Sequence, residues 1–106
     1  MQVIHWQKQT FPTEQELREQ MRLAGLSPYT WSNDAHYTYT AHTHSYEKVL
    51  YCVQGSIRFV LPEHVNAEGK AEYIGLTPGD CMVLPPNTLH SAIVGSQGVT
   101  CLEASR

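Results

Sequence analysis

The sequence predicts an all-β fold: a closed antiparallel sheet with one short amphipathic helix packed outside it. Two observations carry this. After residue 35, short runs rich in β-branched and aromatic residues recur, and turn signals bearing Gly, Pro or Asn separate them. Only one segment, near the N-terminus, has helical periodicity. Many short strands with turns between them imply a sandwich or barrel. At 106 residues the chain is read as one domain, with 1–30 a strand and helix extension and 36–104 the barrel.

The helix is expected over Thr13–Ala24. Thr13 and Glu16 have the spacing of a capping box, and acidic residues in the first turn suit the positive end of the helix dipole. Leu17, Met21 and Ala24 recur on one side as a packing stripe. Gly25 is placed to end the helix in a left-handed turn.

The strands follow in order. His36–Thr40 is rich in β-formers. Lys48–Val53 and Ile57–Leu61 flank Gln54-Gly55-Ser56 as a hairpin would, and Pro62–Gly69 reads as a polar loop. Ala71–Leu76 is a further strand, and Thr77-Pro78-Gly79-Asp80 is a turn. Cys81–Leu84 is a short strand stopped by Pro85-Pro86-Asn87. His90–Val94 and Val99–Glu103 are strands joined by Gly95-Ser96-Gln97-Gly98.

Composition excludes several function classes. The net charge is −3 with only seven Lys and Arg, thinly spread, so no electrostatic footprint for nucleic acid or anionic membrane is present. The longest apolar stretches are far too short to span a bilayer. The first six residues lack the basic flank and apolar run of a signal peptide, and a cytoplasmic location is expected. Cys52, Cys81 and Cys101 form no Cys-x-x-Cys pair and sit among apolar neighbours. They are read either as three reduced core cysteines or as including one reactive thiol facing a pocket, Cys52 or Cys81.

His42-Thr43-His44 is the most informative triplet. On a strand, alternate residues share a face about 6.6 Å apart, and two imidazoles so placed can converge on one ion. The plainer alternative is a pair of His lining a polar surface strand. Sequence parity puts His36, Thr38 and Thr40 with His42 and sends Tyr37 and Tyr39 to the other face. Trp31, Tyr46 and Tyr51 are aromatic neighbours, and His5 and His64 are read as exposed.

The stretch His42-Thr43-His44-Ser45-Tyr46-Glu47-Lys48-Val49-Leu50-Tyr51-Cys52-Val53-Gln54-Gly55 resembles the first signature motif of the cupin superfamily. Residues 56–78 separate it from Gly79-Asp80-Cys81-Met82-Val83-Leu84-Pro85-Pro86-Asn87-Thr88-Leu89-His90, which resembles the second. The resemblance covers roughly Tyr39–Leu102, and the paired motifs are far more specific than either alone. It implies a jelly-roll barrel in which His42, His44 and His90 bind one divalent metal ion. Imidazole suits Zn, Ni, Fe, Mn or Cu, so identity stays open.

One position departs from the family pattern. Its usual fourth ligand, a Glu, falls where this chain has Lys48, and the nearest Glu is Glu47. A one-residue shift on a strand turns a side chain to the opposite face, so Glu47 reaches the pocket only through a β-bulge. Three arrangements follow: three His plus solvent, which we favour; His₃Glu through a bulge at Glu47; or a metal-free pocket with Lys48 as the working group.

The functional reading is a small metal-binding cupin whose open positions take a small oxygen-bearing molecule. If it is an enzyme, of dioxygenase- or isomerase-like type, Glu47 or Lys48 would move protons. The alternatives are a non-catalytic module that senses or binds a small ligand, and a barrel kept only for assembly. Small cupins resemble homodimers, and Val3–Trp6 is a candidate strand for a partner's sheet edge.

Overall fold

A computed structural model describes residues 1–106 and contains strand β1 (Gln2–Ile4), helix α1 (Glu14–Leu23) and strands β2 (Tyr29–Asn33), β3 (Thr38–His42), β4 (Lys48–Val65), β5 (Ala71–Leu76), β6 (Cys81–Leu84) and β7 (His90–Ser105). All strand pairs are antiparallel. β4 and β7 lie side by side along most of their length. The first part of β4 also pairs with β6 and its later part with β5. Likewise the first part of β7 pairs with β3 and its last part with β2. The two long strands therefore belong to both layers of the fold and bend as they pass from one to the other.

Those bends replace the hairpin expected at Gln54-Gly55-Ser56 and the strand connection expected at Gly95-Ser96-Gln97-Gly98. Gly55 has a φ of 76° and Gly98 a φ of 74°, a region that strains other residues. The β4–β7 register slips between Cys52 and Gln54 and again between Gly55 and Ile57. A Cβ on Gly55 would stand 2.0 Å from the Gly98 carbonyl oxygen, so the strands cross there as closely as glycine allows. Each glycine-marked segment thus bends one continuous strand where a reversal was expected.

Three further expectations are corrected. The strand read at His36–Thr40 begins at Thr38 and runs to His42, because His36, at φ 65°, belongs to the turn before it. The loop read at Pro62–Gly69 is shorter, since β4 continues to Val65. Pro62 is tolerated because the β4–β5 register shifts just beyond Leu61. Val3–Trp6 does not wait for a partner: Gln2, Val3 and Ile4 pair with Val83, Met82 and Cys81 of the chain's own β6. β2 was not anticipated.

Helix α1 forms where expected, but Ala24, expected in its packing stripe, is exposed because it stands at the C-cap beyond the last buried turn. Thr13 Oγ1 accepts from the Glu16 amide at 3.1 Å, and Glu16 Oε1 accepts from the Thr13 amide at 3.4 Å. Gly25, at φ 82°, follows its last turn. Leu17 and Met21 are fully buried against Leu26, Val49, Cys81, Leu102 and Ala104. Each contributes roughly 1.5–3 kcal/mol by leaving water, which holds the helix on the sheet. The second and larger core lies between the layers, with Leu50, Cys52, Phe59, Leu61, Leu76, Met82 and Val94.

The two cores fix which way the β4 side chains point. Val49, Tyr51 and Val53 pack beneath the helix, while Leu50 and Cys52 face the interior. This double burial explains why Val49–Val53 is continuously apolar. All three cysteines are free and buried. No helix is long and apolar enough to cross a membrane.

Candidate metal centre

His42 ends β3 and His90 begins β7, and the two stand directly opposite each other in the β3–β7 pairing. His44 lies two residues on, in the segment between β3 and β4. The Asn87 amide donates to the His44 carbonyl at 2.7 Å, tying the turn that precedes His90 to the first motif. Ring centroids are 4.8 Å apart for His42 and His44, 4.5 Å for His42 and His90, and 5.2 Å for His44 and His90. One nitrogen from each ring can be chosen so that all lie within 4.8 Å of one another. Residues far apart in sequence thus meet at one point.

The tautomers are set by the backbone. His42 Nδ1 donates to the Thr40 carbonyl at 2.6 Å, and His90 Nδ1 donates to the Thr88 carbonyl at 2.8 Å. An imidazole that carries its single proton on Nδ1 keeps the Nε2 lone pair free, the state a metal ligand needs. The Nε2 atoms of His44 and His90 are buried and have no hydrogen-bond partner. An unsatisfied buried polar atom is costly, and two aimed at one point fit a bound cation. Burial is the largest influence on both rings and lowers their pKa values, with Lys48 and His42 acting in the same direction. In both rings this favours the neutral form.

The cavity around the three His has a volume of about 310 Å³. Its lining is aromatic at Tyr29, Trp31, Tyr39, Tyr46 and Phe59, aliphatic at Ile57 and Ala92, and charged at Lys48 and Glu103. Tyr39 reaches this cavity although sequence parity excluded it, while Thr38 and Thr40 are exposed. The cause is a register shift between Tyr39 and His42, which reverses the alternation. His36 likewise lies outside. Of the aromatic neighbours, Trp31 and Tyr46 line the cavity, while Tyr51 packs under the helix, where burial pushes its hydroxyl up to about 12. His5 and His64 are exposed, as read.

At the position of the usual acidic ligand, Lys48 points inward. Its side chain is 10% exposed, and Nζ lies 3.4 Å from Oε1 of Glu103. Glu47 turns the other way and pairs with Arg106 at 2.6 Å, so no bulge brings it into the cavity. Glu103 escaped the sequence reading. Tyr29 Oη donates to its Oε2 at 2.5 Å and Trp31 Nε1 donates to its Oε1 at 3.1 Å. Burial and this carboxylate together raise the Tyr29 pKa. The available signal was an acid within the apolar run Val99–Ala104. Neither Cys52 nor Cys81 lines this cavity.

A family model described as Cupin matches residues 2–102. The chain is a cupin. Solved structures agree on the fold. DMSP lyase DddQ from Ruegeria pomeroyi DSS-3 superposes with a TM-score of 0.64 at 22% identity, covering 76% of this cupin and 38% of that chain. An oxalate decarboxylase variant from Bacillus subtilis gives 0.63 at 20% identity, with 76% of this cupin and 20% of that chain covered. A cupin-2 domain protein from Shewanella frigidimarina NCIMB 400 gives 0.60 at 13% identity, with 76% and 71% covered. This cupin thus spans only a fifth of the oxalate decarboxylase's length. No curated protein matches it.

Proposed function

We propose that this cupin holds one divalent metal ion through His42, His44 and His90 and takes a small oxygen-bearing molecule beside it. The observation that carries this reading is the pair of buried, partnerless Nε2 atoms on His44 and His90, next to a His42 ring whose Nδ1 is occupied. Three neutral imidazoles make a donor set for a borderline cation. When bound, such an ion supplies Lewis acidity, polarising a carbonyl or carboxylate oxygen. Manganese(II) centres are described for Bacillus subtilis oxalate decarboxylase, which supports a divalent ion and leaves its identity open.

The chain's own residues divide the remaining work. The imidazoles bind, the aromatic and aliphatic walls exclude water, and Lys48 and Glu103 are the charged groups facing the ligand space. Either of these two is in place to hold or move a proton, whereas Glu47, on the far side of the strand, is not. The pairing of Lys48 with Glu103 supports a second reading, a non-catalytic binding module in which the two charges stay with each other and transfer no proton. Elemental analysis of the purified protein tests the common core. We expect about one equivalent of metal, lost in the H42A/H44A/H90A variant; unaltered content in that variant removes the proposed site. Turnover that disappears with the metal then separates enzyme from binding module. A homodimer is the expected assembly, to be checked by light scattering.

A further inference from the structure

The replacement of an acidic ligand by Lys48 changes the charge of the site. A carboxylate at that position would cancel one of the two charges of a divalent ion. Here the ammonium is offset by Glu103 at 3.4 Å, so an ion held by three neutral imidazoles keeps both of its charges in a largely apolar cavity. Uncompensated charge of this size in a low dielectric favours an anionic partner.

The two members of the pair are unequally engaged. Glu103 accepts from Tyr29 and from Trp31 and faces Lys48, so both of its oxygens are in use. Lys48 has three N–H donors and one close charged partner. Ile57, Phe59 and Ala92 line the same cavity with aliphatic and aromatic surface. An ammonium with donors to spare in a cavity that is otherwise largely apolar matches a ligand with one charged end and one apolar end.

We propose that Lys48 is the specificity-determining residue of the site and selects a compact organic monocarboxylate. The carboxylate is held between the imidazole centre and the Lys48 ammonium, and the apolar body lies against Ile57, Phe59 and Ala92. This rests on the metal reading above, which supplies the second positive charge.

The experiment is calorimetric titration of the zinc-loaded protein with benzoate and with its neutral counterpart benzamide. Benzoate is expected to bind about tenfold or more tightly than benzamide, the range for a hydrogen bond to a charged group. Lys48→Met should erase that preference while zinc still binds. Should that variant fail to fold, Glu103→Gln serves: it frees the ammonium of its competitor, and benzoate affinity should rise severalfold. Equal binding of benzoate and benzamide to zinc-loaded protein overturns the inference alone, as does an unchanged preference in Lys48→Met or unchanged benzoate affinity in Glu103→Gln. Failure of the wild-type protein to take up any of zinc, nickel, iron, manganese and copper overturns the metal reading and this inference with it.

Discussion

Lys48 Nζ and Glu103 Oε1 lie 3.4 Å apart in a cavity that leaves their side chains 10% and 7% exposed. They sit diagonally on the inner faces of neighbouring strands, Glu103 standing opposite Leu50. Removing one partner of such a pair strands the other charge away from water. Glu103→Ala is expected to cost about 3–5 kcal/mol, whereas the double variant K48M/E103L should recover most of that loss. Urea denaturation of the wild type, both singles and the double gives the coupling, and simple additivity of the two singles would show that the pair is not buried as described.

Gly55 is the second structural test. An added Cβ would meet the Gly98 carbonyl at 2.0 Å while the backbone holds a φ of 76°. Backbone strain and overpacking act together, and Gly55→Ala should lose about 3 kcal/mol. A thermal melt within a degree or two of wild type would contradict a strand bent at this point.

These two sites mark where the sequence was legible and where it was not. The capping box at Thr13 and Glu16 depends on neighbours three apart, and the helix appeared where expected. The two motifs likewise carry His42, His44 and His90 at recognisable spacing, and the fold brings them together. Glycine-marked segments between β-rich runs were ambiguous, because a bend in one strand and a reversal between two use the same residues. Gln54-Gly55-Ser56 therefore reads as a hairpin and Gly95-Ser96-Gln97-Gly98 as a connection between strands, although each bends a continuous one. Tyr39 was assigned to the wrong face because one irregularity before His42 inverts the alternation, and nothing local announces it. Glu103 belongs to the site through strand pairing at long range, which no motif records.

Asp80 governs the acid limit. Burial alone would raise its carboxyl, but the amides of Thr77 and Trp6, the His5 ring and the Thr77 hydroxyl outweigh that and hold it below the usual range. A carboxylate depressed in the folded state stabilises fully above its unfolded value near ~3.9 and loses that stabilisation as pH falls through the folded value. Asp80→Asn should be weaker than wild type by roughly 1–3 kcal/mol at pH 7, with the gap closing toward pH 2. A gap independent of pH, read from urea midpoints, would show that these contacts do not depend on the ionised carboxyl.

The cysteines are predicted to be structural. Cys52 and Cys101 face each other between β4 and β7, and Cys81 lies under the helix. A hydrogen bond with Cys52, followed by burial, raises the Cys101 thiol, and burial raises that of Cys81. A thiolate is the reactive form, so a colorimetric thiol reagent should label none of the three in native buffer and all of them in denaturant. Rapid native labelling of any one would mark it as accessible and reactive.

The most direct test of the central claim is anomalous diffraction from crystals of the zinc-loaded protein, collected at the zinc edge. One peak among the Nε2 atoms of His42, His44 and His90 is the predicted result. Stoichiometric zinc with its peak elsewhere, and none between these rings, would contradict it.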